Sequence, residues 1–237
     1  MKVSVMLISL CIVLTFAFGC GNGSNTTVPS DAITIKADFK GGVDGWGSGY
    51  SDYSDGTAPT DITTEERAFP TPLAGNGFYL SGTNKSGDLF IYVKKKFSGF
   101  SPNTKYQATF EVKFATNAPS GCVGVGGPPG EAVWISAGAT AVEPQTVLID
   151  GYYRLNIDRE NQSVGNKDVV VLGDIANSST DCSERVYQTK TLTNSTPLDV
   201  TSDANGEMWL HVGMDSGFES TSHIYLLTLS SIFIPTK

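Results

Sequence analysis

From Lys105 to Phe114 the sequence alternates strictly. Tyr106, Ala108, Phe110, Val112 and Phe114 fall on one face, and Lys105, Gln107, Thr109, Glu111 and Lys113 fall on the other. Successive side chains of an extended strand point to opposite sides, so this run has a core on one side and water on the other, the signature of an antiparallel sheet. The rest of the mature chain agrees. Nowhere do apolar residues recur at three- and four-residue spacing for a dozen positions without Gly, Pro or a β-branched interruption, so no long helix is expected. Further strands are expected near residues 33–38, 78–81, 88–97, 131–137, 152–158, 168–173, 186–192, 207–214 and 222–234.

Three local expectations follow from these strands. Ser101-Pro102-Asn103-Thr104 supplies turn residues between the 88–97 and 105–114 strands, so the two read as a hairpin. Lys94, Lys95 and Lys96 read as a device that blunts an exposed sheet edge. Asp203-Ala204-Asn205-Gly206 is a tight-turn signal opening the penultimate strand. The last strand is apolar on both faces, with Ile224, Leu226, Ile232 and Ile234 against Tyr225, Leu227, Leu229 and Phe233. It is therefore expected at the centre of a sheet and covered twice, with the chain's first and last strands meeting in that sheet. No repeat at a fixed period is visible, which excludes propellers and solenoids.

The first 19 residues carry one charge, Lys2, and then an uncharged apolar stretch from Val3 to Phe18. It is short for a membrane span and reads as a secretory signal. Its end, Leu14-Thr15-Phe16-Ala17-Phe18-Gly19-Cys20, resembles the bacterial lipobox. That resemblance implies diacylation of the Cys20 thiol, which becomes the new N-terminus, and an exported lipoprotein at the outer membrane or cell surface. Phe18 is larger than the pattern usually has, and Ala17 with Gly19 also fits ordinary signal cleavage and a freely secreted protein. Residues 21–30 are polar, uncharged and rich in Gly, Ser and Asn, as a flexible tether would be. The expected organisation is a signal peptide over 1–19, lipidated Cys20 and tether over 20–32, and one β-sandwich domain over 33–237.

Of four cysteines, Cys11 leaves with the leader and Cys20 takes the lipid, so Cys122 and Cys182 remain in Gly/Ser/Asn-rich loops of an exported chain. A disulfide between them is the natural reading, with free thiols or half a metal site as the alternatives. It would staple an elaboration over about 121–193. The net charge is -8, and becomes -9 when Lys2 departs with the leader. Nucleic acid is an unlikely partner, because phosphate binding needs a clustered basic face. Asn-x-Ser/Thr sequons at Asn22, Asn25, Asn84, Asn161, Asn177 and Asn194 mark glycans only in a eukaryotic secretory pathway.

The runs LFIYVKKKFSGFSPNTKYQATFEVKFA and WLHVGMDSGFESTSHIYLLTLSSIFI resemble the paired strands of galactose-binding-like jelly rolls, the scaffold of many carbohydrate-binding modules. The resemblance covers about 50 of 237 residues. It implies an all-β antiparallel sandwich of jelly-roll type with a glycan as ligand. It also admits a structural calcium, with Asp38, Asp215 and Glu219 where such ligands arise.

Catalytic signals are sparse. His211 and His223 sit within strand patterns and read as structural. Asp215-Ser216-Gly217 lacks a separately placed base for a triad. Gly124 to Gly130 includes two prolines, which forbid a pyrophosphate cradle and leave a rigid loop beside Cys122. Residues 41–56 are richer, placing Trp46, Tyr50 and Tyr53 among glycines with Asp44, Asp52 and Asp55. Aromatic rings stack on the apolar face of a sugar and carboxylates accept its hydroxyls, so Trp46, Tyr50, Asp52 and Tyr53 are the candidate ligand-binding residues. The competing reading is that Trp46 and one tyrosine cap the core. Trp134, Tyr152 and Tyr153 form a second, weaker group. The expected function is a non-catalytic binding domain for extracellular glycan. The alternatives are a polysaccharide hydrolase with a carboxylate pair and a structural or assembly component of the cell envelope.

Overall fold

The computed structural model describes residues 29–43, 45–159 and 161–236. The signal, Cys20 and most of the tether lie outside the described residues, as do Asp44 and two of the sequons, Asn22 and Asn25. In chain order the strands are β1 (Ile33–Asp38), β2 (Gly47–Ser51), β3 (Tyr53–Ser54), β4 (Thr60–Ala68), β5 (Asn76–Thr83), β6 (Leu89–Ser98), β7 (Lys105–Thr116) and β8 (Val133–Thr140). They continue with β9 (Thr146–Ile149), β10 (Tyr152–Leu155), β11 (Val170–Asp174), β12 (Gln188–Thr193), β13 (Leu198–Thr201), β14 (Glu207–Ser216) and β15 (Thr221–Pro235). Helix among the described residues is confined to two 3-10 turns, Phe39–Gly41 and Asp55–Thr57.

The strands form an all-β antiparallel sandwich. One sheet runs β12-β7-β15-β5-β4, with β13 extending the β12 side of β7 and β1 extending the β5 side of β15. The other runs β11-β8-β14-β6-β2, and a small third sheet, β3-β10-β9, lies outside it. Successive strands β5, β6, β7 and β8 alternate between the two large sheets, and β14 and β15 do so again, which is jelly-roll connectivity. The apolar face read from β7 is fully inward: Ala108, Phe110, Val112 and Phe114 are completely buried. Opposite them sit Leu89, Ile91 and Val93 of β6, Val133, Ile135 and Ala137 of β8, and Leu210 and Val212 of β14, in one continuous core.

β15 is central, as its two apolar faces require. Its outer face carries Tyr225 and Leu227, packed with Tyr79 and Ala115 under Phe69, Leu73 and Tyr187. The two faces do not run in a single phase, however. The register against β7 shifts between Leu226 and Thr228, and this bulge moves Leu229 and Phe233 to the core side while Ile232 and Ile234 become half-buried. The first strand pairs with the last, Ile33 opposite Phe233, so the chain ends do meet in one sheet.

One local expectation is corrected, and a second holds in part. β6 and β7 are not a hairpin, because they belong to different sheets. The connection carries Phe100, which is buried edge-on against Tyr106 and Phe233 at 5.4 and 5.1 Å, and this draws the chain across the end of the sandwich. The lysine run lies partly on an edge, because β2 pairs along the outer side of β6 only as far as Lys94 and ends before Lys95 and Lys96. Lys94 reaches Glu143 at 2.7 Å and Lys96 reaches Glu207 at 3.0 Å.

Cys122 and Cys182 are joined by a disulfide. Residues 121–193 supply β8, β11 and β12 to the two sheets, and the stretch between β8 and β11 supplies β9 and β10 to the third. The glycine-rich loop beside Cys122 packs on the β14–β15 turn. Gly126 has φ +73°, and a Cβ there would lie 2.2 Å from the Gly217 carbonyl oxygen.

Candidate functional site

The segment 47–54 passes from one sheet to another, and that passage builds the site. β2 ends at Ser51, and Asp52 then adopts φ +70°, a left-handed conformation that Asp tolerates better than most residues. Its N–H donates to the Tyr153 carbonyl at 2.6 Å, so the chain leaves the large sheet and continues as β3 beside β10. β10 is delivered by a hairpin whose two turn residues, Asp150 and Gly151, have φ +50° and +82°. Both central residues are left-handed, as a tight turn matched to strand twist requires, and Asp-Gly suits it.

This pairing sets Tyr153 opposite Tyr53. Tyr50, Tyr53 and Tyr153 form a continuous ring stack, with centroids 5.4 and 4.7 Å apart and interplanar angles of 25° and 14°. Tyr53, in the middle, is pushed up to about 12 by burial, reinforced by Tyr50. The Tyr153 hydroxyl hydrogen-bonds Asp55, which raises its pKa. Tyr50 and Tyr152 stay 36% and 48% exposed, enough to offer ring surface to a ligand, and the Arg154 guanidinium lies 5.0 Å over the Tyr152 ring.

Beneath the stack lies a buried ionic cluster. The Arg159 side chain, on the segment that follows β10, donates to Asp52 Oδ2 at 2.9 Å and to Asp215 Oδ2. It stands 3.9 Å from Asp88 Oδ1, and its guanidinium lies 4.6 Å from the centre of the Phe90 ring. Burial works against the Arg159 charge, but Asp215, Asp52 and Asp88 together hold its pKa above the ordinary value. Asp215 is pushed up to about 7 by burial, with Arg159 pulling the other way. Asp88 is raised by burial and then by Asp52. Three carboxyls around one guanidinium cannot all ionise cheaply, so the cluster retains a proton near neutral pH. On the same strand as Asp215, His211 is fully buried and pushed down to about 4, which keeps it neutral.

Beside the cluster, on the face of the small sheet opposite Tyr53 and Tyr153, a cleft of about 200 Å³ is lined by Asp52, Asp88, Ser54, Ser86, Tyr152 and Arg154. The structure thus joins Tyr50 and Tyr53 with Tyr153 in the stack and Asp52 with Tyr152 in the cleft, although the sequence presents Tyr152 and Tyr153 as a separate group. Trp46 is placed apart from them. It packs edge-on against Phe39 and Phe97 at 5.2 and 6.0 Å and lines a different hollow with Asp38 and Lys95. Sequence reasoning missed Asp88, Arg154 and Arg159. The Asp150-Gly151 pair, a strong hairpin signal, would have located Arg154; an isolated Arg159 carries no signal at all.

The remaining candidates are occupied structurally. Ser216 Oγ contacts the Phe218 carbonyl and Ser222 Oγ, and Asp215 is held by Arg159, so no triad forms there. Asp38 accepts from the Lys40 N–H. Asp38, Asp215 and Glu219 are not gathered for calcium, and no group of three or more His, Cys, Asp or Glu able to hold a metal exists among the described residues. The sequons at Asn84, Asn177 and Asn194 have buried side chains bonded to backbone carbonyls, an arrangement incompatible with a glycan.

No protein-family profile matches the sequence, and no curated protein matches it. Among solved structures the chain is similar to the family 11 carbohydrate-binding module of the cellulosomal cellulase Lic26A-Cel5E of Clostridium thermocellum. Identity is 16%, coverage is 87% of this chain and 97% of that one, and the TM-score is 0.39. It is also similar to TmCBM27, a carbohydrate-binding module described in terms of specific mannan recognition, at 11% identity, 87% and 100% coverage and a TM-score of 0.34. A third likeness is to the enzymatically active domain of bacteriophage CBA120 tailspike protein 4, at 8% identity and a TM-score of 0.34, covering 78% of this chain. The chain spans only 19% of that tailspike chain's length. Likenesses at these scores carry no argument about ligand or activity.

Proposed function

We propose that the chain is an exported domain, held to a membrane through lipid on Cys20, that binds an extracellular glycan in the cleft between Asp52, Asp88 and Tyr152. The observation that carries the binding reading is an acceptor-lined cleft about the size of one sugar ring with the half-exposed Tyr152 ring on its wall. Tyrosine offers a rigid apolar face with a polar tip, and carboxylates and hydroxyls fix a sugar's orientation. Supporting export are the apolar leader, the lipobox-like Cys20 and the Cys122–Cys182 disulfide, a bond that persists in oxidising compartments. The several acyl chains of a lipobox cysteine meet the requirement for stable anchoring.

The first strand begins at the end of the sandwich opposite the cleft. β1 starts beside the end of β15, whereas Asp88 and Asp215 lie where β6 begins and β14 ends, next to the turn into β15. Residues 21–32 reach at most about 40 Å when extended.

A glycan array followed by calorimetry on the mature domain tests the reading. We expect saturable binding, a loss of at least about tenfold in affinity for Tyr152→Ala, and unchanged affinity for Tyr187→Ala, which alters a separate aromatic cluster behind the other sheet. Absence of any glycan ligand would end the proposal. Intact-mass analysis of the N-terminal peptide tests the anchor, which requires acyl mass on Cys20. One observation favours a hydrolase, namely the acid proton that Asp215 keeps near neutral pH. That carboxyl is only 3% exposed and bound to Arg159, which argues for structure over chemistry. Reducing-sugar release by the purified domain would reverse the preference.

A further inference from the structure

The stacked tyrosines stand outside the cleft, and the way they are held gives them a chemistry of their own. Tyr53 and Tyr153 are direct cross-strand partners on β3 and β10, so their Cβ atoms lie about 5 Å apart on one face of the small sheet. Their rings meet face to face, with centroids 4.7 Å apart and planes within 14° of parallel. Both are half-buried, so a one-electron oxidant reaches the phenols while the backbone holds them together. The Tyr153 hydroxyl is hydrogen-bonded to Asp55, an exposed residue whose carboxylate can take the phenolic proton.

These are the requirements for oxidative coupling of two phenols. Removing an electron from a phenol goes with loss of its proton, and a carboxylate already bonded to the hydroxyl receives that proton. The radicals carry spin on the ring carbons ortho to oxygen and combine through their ring faces, which is how Tyr53 and Tyr153 approach each other. A second tyrosine cluster lacks these features. Tyr79 and Tyr225 also stand 4.7 Å apart, but their planes cross at 50° and they are only 9% and 5% exposed. The Arg67 guanidinium lies 4.0 Å over the Tyr79 ring, and positive charge there opposes removal of an electron. Tyr50 is farther from Tyr53, at 5.4 Å and 25°, and meets it across the bend at Asp52, not across a strand pair.

We propose that Tyr53 and Tyr153 form an oxidative cross-linking site, joined by a carbon-carbon bond between their ortho positions when a peroxide-driven one-electron oxidant of the haem peroxidase class reaches them. Each phenol gives one electron to the oxidant and releases one proton, that of Tyr153 to Asp55 and that of Tyr53 to water. The two radicals couple, and the hydrogens on the newly bonded carbons shift to the oxygens as the rings regain aromaticity. One hydrogen peroxide is reduced to two waters for each bond formed. The bond ties β3 to β10, the strand that brings Tyr152 and Arg154 to the cleft, and it forms whatever the cleft binds. A cross-link between positions so distant in the chain restricts the unfolded state and stabilises the fold.

Treatment of the mature protein with a haem peroxidase and hydrogen peroxide tests the site. Peptide mapping of the monomer should recover Tyr53 and Tyr153 in one linked pair, lighter by two hydrogen atoms than the separate peptides. The linked protein should melt at least about 5 °C higher than the untreated one. Tyr53→Phe should abolish the pair, Tyr187→Phe should leave its yield unchanged, and Asp55→Asn should slow its formation at least about threefold. No linked pair, coupling chiefly between other tyrosines or between two copies of the chain, an unchanged Tm, or an Asp55→Asn rate equal to the native one overturns the inference.

Discussion

Asp52 concentrates what is unusual about this chain in one residue. It holds a left-handed backbone, takes the stem position between two sheets, and gives one carboxylate oxygen to Arg159 and Ser51 Oγ while leaving the other toward the cleft. Removing one partner of a buried ion pair strands the other. Asp52→Ala is therefore expected to cost about 3 kcal/mol in urea-induced unfolding, and a loss under about 1 kcal/mol would show that Arg159 is satisfied elsewhere. The residue types of the site were legible in the sequence, since an Asp between Tyr50 and Tyr53 in a glycine-rich stretch invites a binding role. Its charge partners were not, because Arg159 and Asp215 lie 107 and 163 positions away along the chain and only folding brings them within bonding distance. Trp46 shows the reverse problem. An aromatic among glycines reads equally well as a ligand platform or a core cap, and the difference lies in whether Phe39 and Phe97 come to meet it.

At the level of elements, strands with one-sided burial were readable and strands at edges were not. β7 and β14 announce themselves because the core demands an apolar residue at every second position. β4, on the edge of its sheet, carries mainly polar residues on both faces, so alternation leaves no trace in its sequence. β12 and β13 expose a subtler device. Both pair with β7, leaving a gap between them opposite Ala108 to Phe110. Asn194 fills the gap: its side-chain oxygen accepts from the Phe110 N–H at 2.6 Å and its amide donates to the Ala108 carbonyl at 3.2 Å. A side chain thus replaces missing rungs of the ladder, and the sequon at this position is a structural motif. Asn194→Ala leaves both backbone groups unpaired in the interior and is expected to destabilise the domain by about 2 kcal/mol. Hydrogen exchange should locate the loss at Phe110, and unchanged protection there would refute this role.

Taken whole, the molecule keeps two buried titrating groups on the outer face of β14 whose effects oppose each other. Asp215 is held at about 7 against an ordinary 3.8, chiefly by burial, so the stability it confers is full below pH 3.8 and is lost as pH rises through about 7. His211, pushed by burial to about 4 from 6.5, contributes fully above 6.5 and loses its contribution as pH falls through about 4. Between these limits the slopes offset each other, and the Tm of the native domain should change little from about pH 4 to 6.5. His211→Gln should convert that plateau into a steady decline with rising pH, and Asp215→Asn into a rise. Calorimetry across this range decides, and identical profiles for both variants would rule out the assignment. By itself the sequence determined the all-β class, the two-sided central strand and the meeting of the chain ends, because alternation and burial are properties of residues read in order. The tertiary structure alone decided that β6 and β7 part into different sheets, that the β15 bulge exchanges its faces, and that Asp52, Asp88, Arg159 and Asp215 converge. Those outcomes depend on contacts between positions distant in sequence, where the packing of one segment sets the surroundings of another and no local pattern records it.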